Sequence, residues 1–169
     1  MDTPLVNRVA NSGLITLKLE DFFPAQPAVH FDLKAYLFME LILKEKDFRE
    51  AMAAHDWSQY QGKILLVYCS ADAIIPVWAY MLVASYAQPY AHEIFQGSES
   101  EFLKAYFSRA LNRLDLAPYQ GQRIVVKGCS DHPVPASAYL EITSLLRPIA
   151  RSIMFGEPCS TVPIYKQPK

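Results

Sequence analysis

Residues 14–19, LITLKL, alternate apolar and polar side chains, the two-residue period of a strand buried on one face. The following FFPAQPAVH reads as a proline-containing connection. Asp32 then offers an N-cap for a helix over 33–43, LKAYLFMELIL, which is apolar most of the way round and so is expected to be buried. A more polar helix is expected over 47–54, with Phe48, Ala51 and Met52 on one side. Short apolar runs at 64–68 and 124–127 read as strands. Pro76 and Pro135 suit the first turn of a helix, where a missing N–H costs nothing, and Pro89 and Pro148 stop those helices. The first of them, VWAYMLVASYA over 77–87, is apolar on nearly every face, so it is either sandwiched in a core or covers a subunit interface.

The pattern repeats. Residues 107–156 lie over residues 48–97 with 18 identities, allowing an inserted Gln122 and a residue missing opposite Ala71. The shared positions include Cys69-Ser70 and Cys129-Ser130, Pro76 and Pro135, Tyr80 and Tyr139, and the closing Gly97 and Gly156. Each copy reads helix, turn, strand, Cys-Ser loop, helix, strand. Strands alternating with helices predict a three-layer α/β fold with a mostly parallel sheet of about five strands. The expectation is one domain over residues 1–169, built by internal duplication of a helix-strand-helix-strand unit. After Gly156, prolines at 158, 163 and 168 predict an extended C-terminal arm over 157–169.

Bulk composition narrows the function. The apolar fraction is 51% and aromatics are 12%, enough for a packed core. Sixteen basic residues are spread among 17 acidic ones and form no stripe, so nucleic acid is not an expected partner. No apolar run approaches the roughly 20 residues of a bilayer span, and MDTPLVNRVANSG lacks the basic start and apolar stretch of a signal peptide, so no membrane partner is expected either. The expected location is cytoplasmic, with the three cysteines reduced. An odd cysteine count also argues against a disulfide framework.

In open α/β sheets, ligands sit outside the carboxyl ends of the strands. Cys69-Ser70-Ala71-Asp72 and Cys129-Ser130-Asp131-His132 both fall there, and Cys159-Ser160 follows the last predicted strand. Three thiols with Asp72, Asp131 or His132 are a ligand set for zinc, or for an iron–sulfur cluster held by three cysteines and another group. A reactive thiol is the second reading, with Cys129 the candidate nucleophile because His132 stands beside it and only Ala73 matches that histidine in the first copy. Ser70 and Ser130 are candidate anion donors at the helix starts. The plainer reading makes the cysteines small core residues in a non-enzymatic binding or scaffold module, open to homo-oligomerisation through residues 77–87. No glycine-rich phosphate cradle is present.

The stretches LILKEKDFR, DWSQYQGK, CSADAIIPVWAYM, KGCSDHPVPASAY and GEPCSTVPIYK, spread over most of the chain, resemble an uncharacterised protein family of Bacteroidetes, a domain of unknown function. The resemblance implies a bacterial cytosolic protein and carries no activity.

Overall fold

The computed structural model describes residues 13–128 and 130–168. In chain order the main elements are β1 (Leu14–Leu17), β2 (Ala28–Asp32), α1 (Glu45–Ala54), β3 (Ile64–Tyr68), α2 (Val77–Ala87), β4 (Glu93–Gln96) and α3 (Glu99–Leu111). They continue with β5 (Arg123–Val126), α4 (Ala136–Leu146), β6 (Ser152–Glu157) and β7 (Ser160–Lys166). The fold is mixed α/β and its strand pairing is predominantly parallel.

Two sheets stand where one of about five strands was expected. β3 pairs with β2 and β4, and β5 with β1 and β6; β2 begins in the expected proline-containing connection. Its AVHFD alternates around a buried Phe31, and it pairs in parallel with β3 rather than serving as a linker. The chain accordingly divides into two compact units, one running Pro24–Phe102 and the other taking the chain up to Phe23 and from Leu103 onward. The boundary falls within α3.

In the Pro24–Phe102 unit the strand order is β2-β3-β4, all parallel. Ile64, Leu65, Leu66 and Val67 of the central β3 are all buried, as an unbroken aliphatic run in the middle strand requires. The core cluster joins Phe31, Phe48, Met52, Trp57 and Tyr60 to Ala79, Val83 and Ala87, which form the i, i+4, i+8 stripe of α2. Trp57 is held in place because its indole Nε1–H donates to the Met52 carbonyl at 2.8 Å.

The helix expected over 33–43 is not formed. Leu33–Tyr36 make a single 3-10 turn, and the chain then reverses at Phe38–Ile42. There the Phe38 N–H donates to the Ile42 carbonyl at 2.7 Å, with Met39 and Glu40 both at positive φ. A helix apolar on all sides needs cover on all sides, and here only Leu33 and Leu43 are buried; Phe38, Met39, Leu41 and Ile42 are exposed.

In the other unit the order is β1-β5-β6-β7, with β1, β5 and β6 parallel and β7 antiparallel to β6. The expected C-terminal arm is mostly strand: Ser160–Lys166 turn back on β6, with an irregularity at Ile153/Met154 and Pro163 opposite Met154. Proline lacks a ladder donor, and a break in register tolerates it there. The stripe Ala138, Ile142 and Leu146 buries α4.

Several contacts recur in the two units. Gly62 N–H donates to the Tyr90 carbonyl at 3.0 Å, and Gly121 N–H to the Ile149 carbonyl at 2.8 Å. Pro76 and Pro135 precede α2 and α4 in nearly the same extended conformation.

Candidate functional site: the loops at the carboxyl ends of the strands

The loop after β3 is fastened by the carboxylate that ends β2. Asp32 Oδ1 accepts the backbone N–H of Ser70 at 3.0 Å and that of Lys34 at 2.9 Å, while Oδ2 accepts the Ser70 hydroxyl at 2.5 Å. Burial pushes the Asp32 carboxyl up, but the bonds from Ser70 and Lys34, with the Lys34 charge, outweigh it and hold the group below the usual carboxylate range. Cys69 is half-buried, and its thiol donates to the Ala71 carbonyl at 3.6 Å. Asp72 is exposed. Tyr80, on the first turn of α2, bonds the side chain of Gln96 at the end of β4; burial raises its phenol above the usual value, and the nearby Cys69 adds to that.

The loop after β5 is fastened in the same manner by an acid from the 3-10 turn after β1. Glu20 Oε2 accepts the backbone N–H of Asp131 at 2.7 Å, and Oε1 accepts from Lys127 Nζ at 3.3 Å. The Asp131 N–H lowers the Glu20 carboxyl most, against the opposing effect of burial, and Lys127 lowers it further. Lys127 is raised by its bond to Glu20, against burial, with the Glu20, Glu157 and Asp131 charges adding to the effect. Glu157 Oε1 is buried with no hydrogen-bond partner among the described residues. Ser130 Oγ donates to the His132 carbonyl at 2.8 Å, and the His132 ring stacks on Phe23 with centroids 4.5 Å apart.

The residues singled out in the sequence therefore divide between the units. Cys69, Ser70 and Asp72 lie at the carboxyl edge of the three-stranded sheet. Ser130, Asp131 and His132 lie at that of the four-stranded sheet, where Cys159 sits exposed in the turn from β6 to β7. Cys129 lies outside the described residues. Among the described residues, no group of three or more His, Cys, Asp or Glu side chains is placed to hold a metal ion. Both candidate anion donors have their hydroxyl protons engaged, Ser130 on the His132 carbonyl of its own loop and Ser70 on Asp32 at the end of β2, so an incoming anion at Ser70 would meet that carboxylate.

Sequence reasoning missed Glu20, Lys127 and Gln96. Glu20 and Asp131 stand 111 residues apart, and no local pattern signals such a bond. It did single out α2, whose outer face is apolar: Val77 and Met81, one turn apart, are 74% and 68% exposed, and Ile74 before the helix is 93% exposed. The row ends on the exposed Ser85, which matches the exposed Ser144 of α4; the two helices differ at Val77 and Met81, whose places in α4 are taken by Ala136 and Leu140, and at Trp78, whose place is taken by Ser137. Among the described residues no helix is long and apolar enough to cross a membrane.

Fold and loops together define an α/β protein whose loops after β3 and β5 are fastened by acidic side chains, Asp32 at the end of β2 and Glu20 in the turn after β1. The chain belongs to the family described as "Protein of unknown function (DUF2480)", whose model matches residues 3–167. No curated protein and no solved structure matches the chain.

Proposed function

We propose that the protein is a non-enzymatic binding module that associates with a second copy of itself through α2. The observation that carries this reading is the outward face of α2. Eleven residues without a charge, VWAYMLVASYA, present Val77 and Met81 to solvent next to Ile74. A helix that only covered a core would place charged side chains on that side, whereas here the one polar member of the row is Ser85, whose hydroxyl donates to the Leu82 carbonyl within the helix. The occupant that suits it is another α2: two uncharged helices cross without like-charge repulsion, and an isologous contact meets the same apolar row on both sides. Loops tied down by Asp32 and Glu20 suit a rigid module better than a moving catalytic loop.

The metal, cluster and thiol readings have less behind them. Cys69 lies in one unit and Cys159 in the other, and the Cys69 thiol is bonded to the backbone of its own loop. Free thiols favour a reducing cytoplasm as the place of work.

We also infer that the chain is an internal duplication in which β2 adds a first strand to the copy over 48–97, and β1, from before both copies, takes the matching place beside the copy over 107–156. In support, β1 runs parallel to β5 as β2 does to β3, and the acid after each first strand binds the loop after the second.

The direct test is Met81→Cys with the three native cysteines replaced by serine. Under mild oxidation a symmetric α2 contact gives a disulfide-linked dimer in high yield, and Glu50→Cys on exposed α1 gives none. Equal cross-linking at both positions would contradict the proposal.

A further inference from the structure

We propose that the recess between α4 and the β6–β7 hairpin is a binding site for one small, uncharged apolar molecule, the size of a single six-membered ring. The recess has a volume of about 100 Å³. Its lining includes Val126 and Ile153, which are buried, Tyr139 and Thr143 from α4, and the partly exposed Phe155 and Ile164. No lining residue carries a charge. The Thr143 hydroxyl donates to the Tyr139 carbonyl at 2.7 Å, which commits its proton within the helix.

Size and chemistry set the ligand class. An apolar cavity of about 150 Å³ stays dry and admits benzene. A recess of about 100 Å³ is smaller and open on one side, so a ring of that size would enter it in part and project from its mouth. Tyr139 and Phe155 stand edge to face with centroids 5.7 Å apart, which gives an aromatic ligand both a ring face and a ring edge to meet. A carboxylate or ammonium would be desolvated against side chains that offer it no counter-charge. The β7 strand makes the site. Ile164 comes from β7, and the three-stranded sheet of the other unit has no strand in that place. There the position matching Phe155 is Gln96, whose side chain bonds Tyr80.

Methyl NMR of the full chain titrated with benzene, with benzoate as the charged control, tests the site. Benzene is expected to give saturable shifts centred on Val126, Ile153 and Ile164, and benzoate to bind at least about tenfold more weakly. Thr143→Phe, which fills the recess, abolishes the benzene shifts. Ile164→Ala, at the exposed rim, weakens binding about threefold and serves if the first variant does not fold. Shifts that never saturate, that fall instead on α2, or that both folded variants leave unchanged would overturn the proposal, as would benzoate binding as tightly as benzene.

Discussion

Asp32 accepts both the backbone N–H and the hydroxyl of Ser70, at 3.0 and 2.5 Å, across 38 residues of chain. The bond ties the end of β2 to the loop that leaves β3, so strand pairing and loop conformation support each other. Removing the carboxylate leaves the loop without its anchor. Asp32→Ala is expected to lower stability by about 1–2 kcal/mol, the charged-acceptor range reduced for solvent access. Asp32→Asn keeps one acceptor and should lose less. Urea unfolding of the three proteins checks the order.

The same residue sets a pH dependence. Its folded-state carboxyl lies below the ordinary value, so its contribution is fully present above the unfolded value of about 4 and is lost as pH falls through the folded one. The stability difference between wild type and Asp32→Asn should therefore be constant from neutral pH to about 5 and shrink below about 4. A difference that grows on acidification would exclude the charged form as the stabilising one.

Gly156 and Gly62 predict a graded pair. Both have positive φ, at 123° and 68°. A Cβ on Gly62 meets no described atom within 4 Å, whereas one on Gly156 would sit 2.6 Å from the Ser160 carbonyl oxygen. Gly62→Ala should cost about 1 kcal/mol of backbone strain. Gly156→Ala adds a collision with backbone and should cost about 3 kcal/mol or more, with the β6–β7 hairpin lost first. Thermal unfolding with hydrogen exchange at β7 distinguishes the two.

Thiol labelling should follow exposure. In a Cys129→Ser background, Cys159 is exposed and should react with a disulfide reagent at close to the rate of a free peptide thiol. Cys69, half-buried and donating to the Ala71 carbonyl, should react at least about tenfold more slowly. Equal rates would mean that the loop after β3 is open in solution and that the Asp32–Ser70 bond does not hold it.

The elements with clean local signals were legible in the sequence. The strands at 64–68 and 124–127 are β3 and β5, and the segments after Pro76 and Pro135 are α2 and α4, ending before Pro89 and Pro148. What failed depends on distant contacts. The segment 33–43 has a helical composition, but nothing covers Phe38, Met39, Leu41 and Ile42, and the chain turns instead. β2 starts directly after Pro24 and Pro27, and its AVHFD lacks the unbroken apolar run that marks β3, so only pairing with β3 makes it a strand. The Cys-Ser loops were expected together at one carboxyl edge, and the structure divides the described residues of those loops between the carboxyl edges of two sheets. Asp32 was legible as a cap, and it does accept the Lys34 N–H, but its hold on Ser70 and that of Glu20 on Asp131 were not, because each reaches a residue far along the chain.

The central claim concerns α2, and sedimentation velocity over a concentration series of the wild-type protein and the Val77→Lys/Met81→Lys variant tests it. Both side chains are well exposed, so the variant should fold normally. The expected result is a wild-type dimer whose population rises with concentration, and a variant that stays monomeric throughout. A wild type that remains monomeric at the highest concentration, or a variant that dimerises equally well, would contradict self-association through α2.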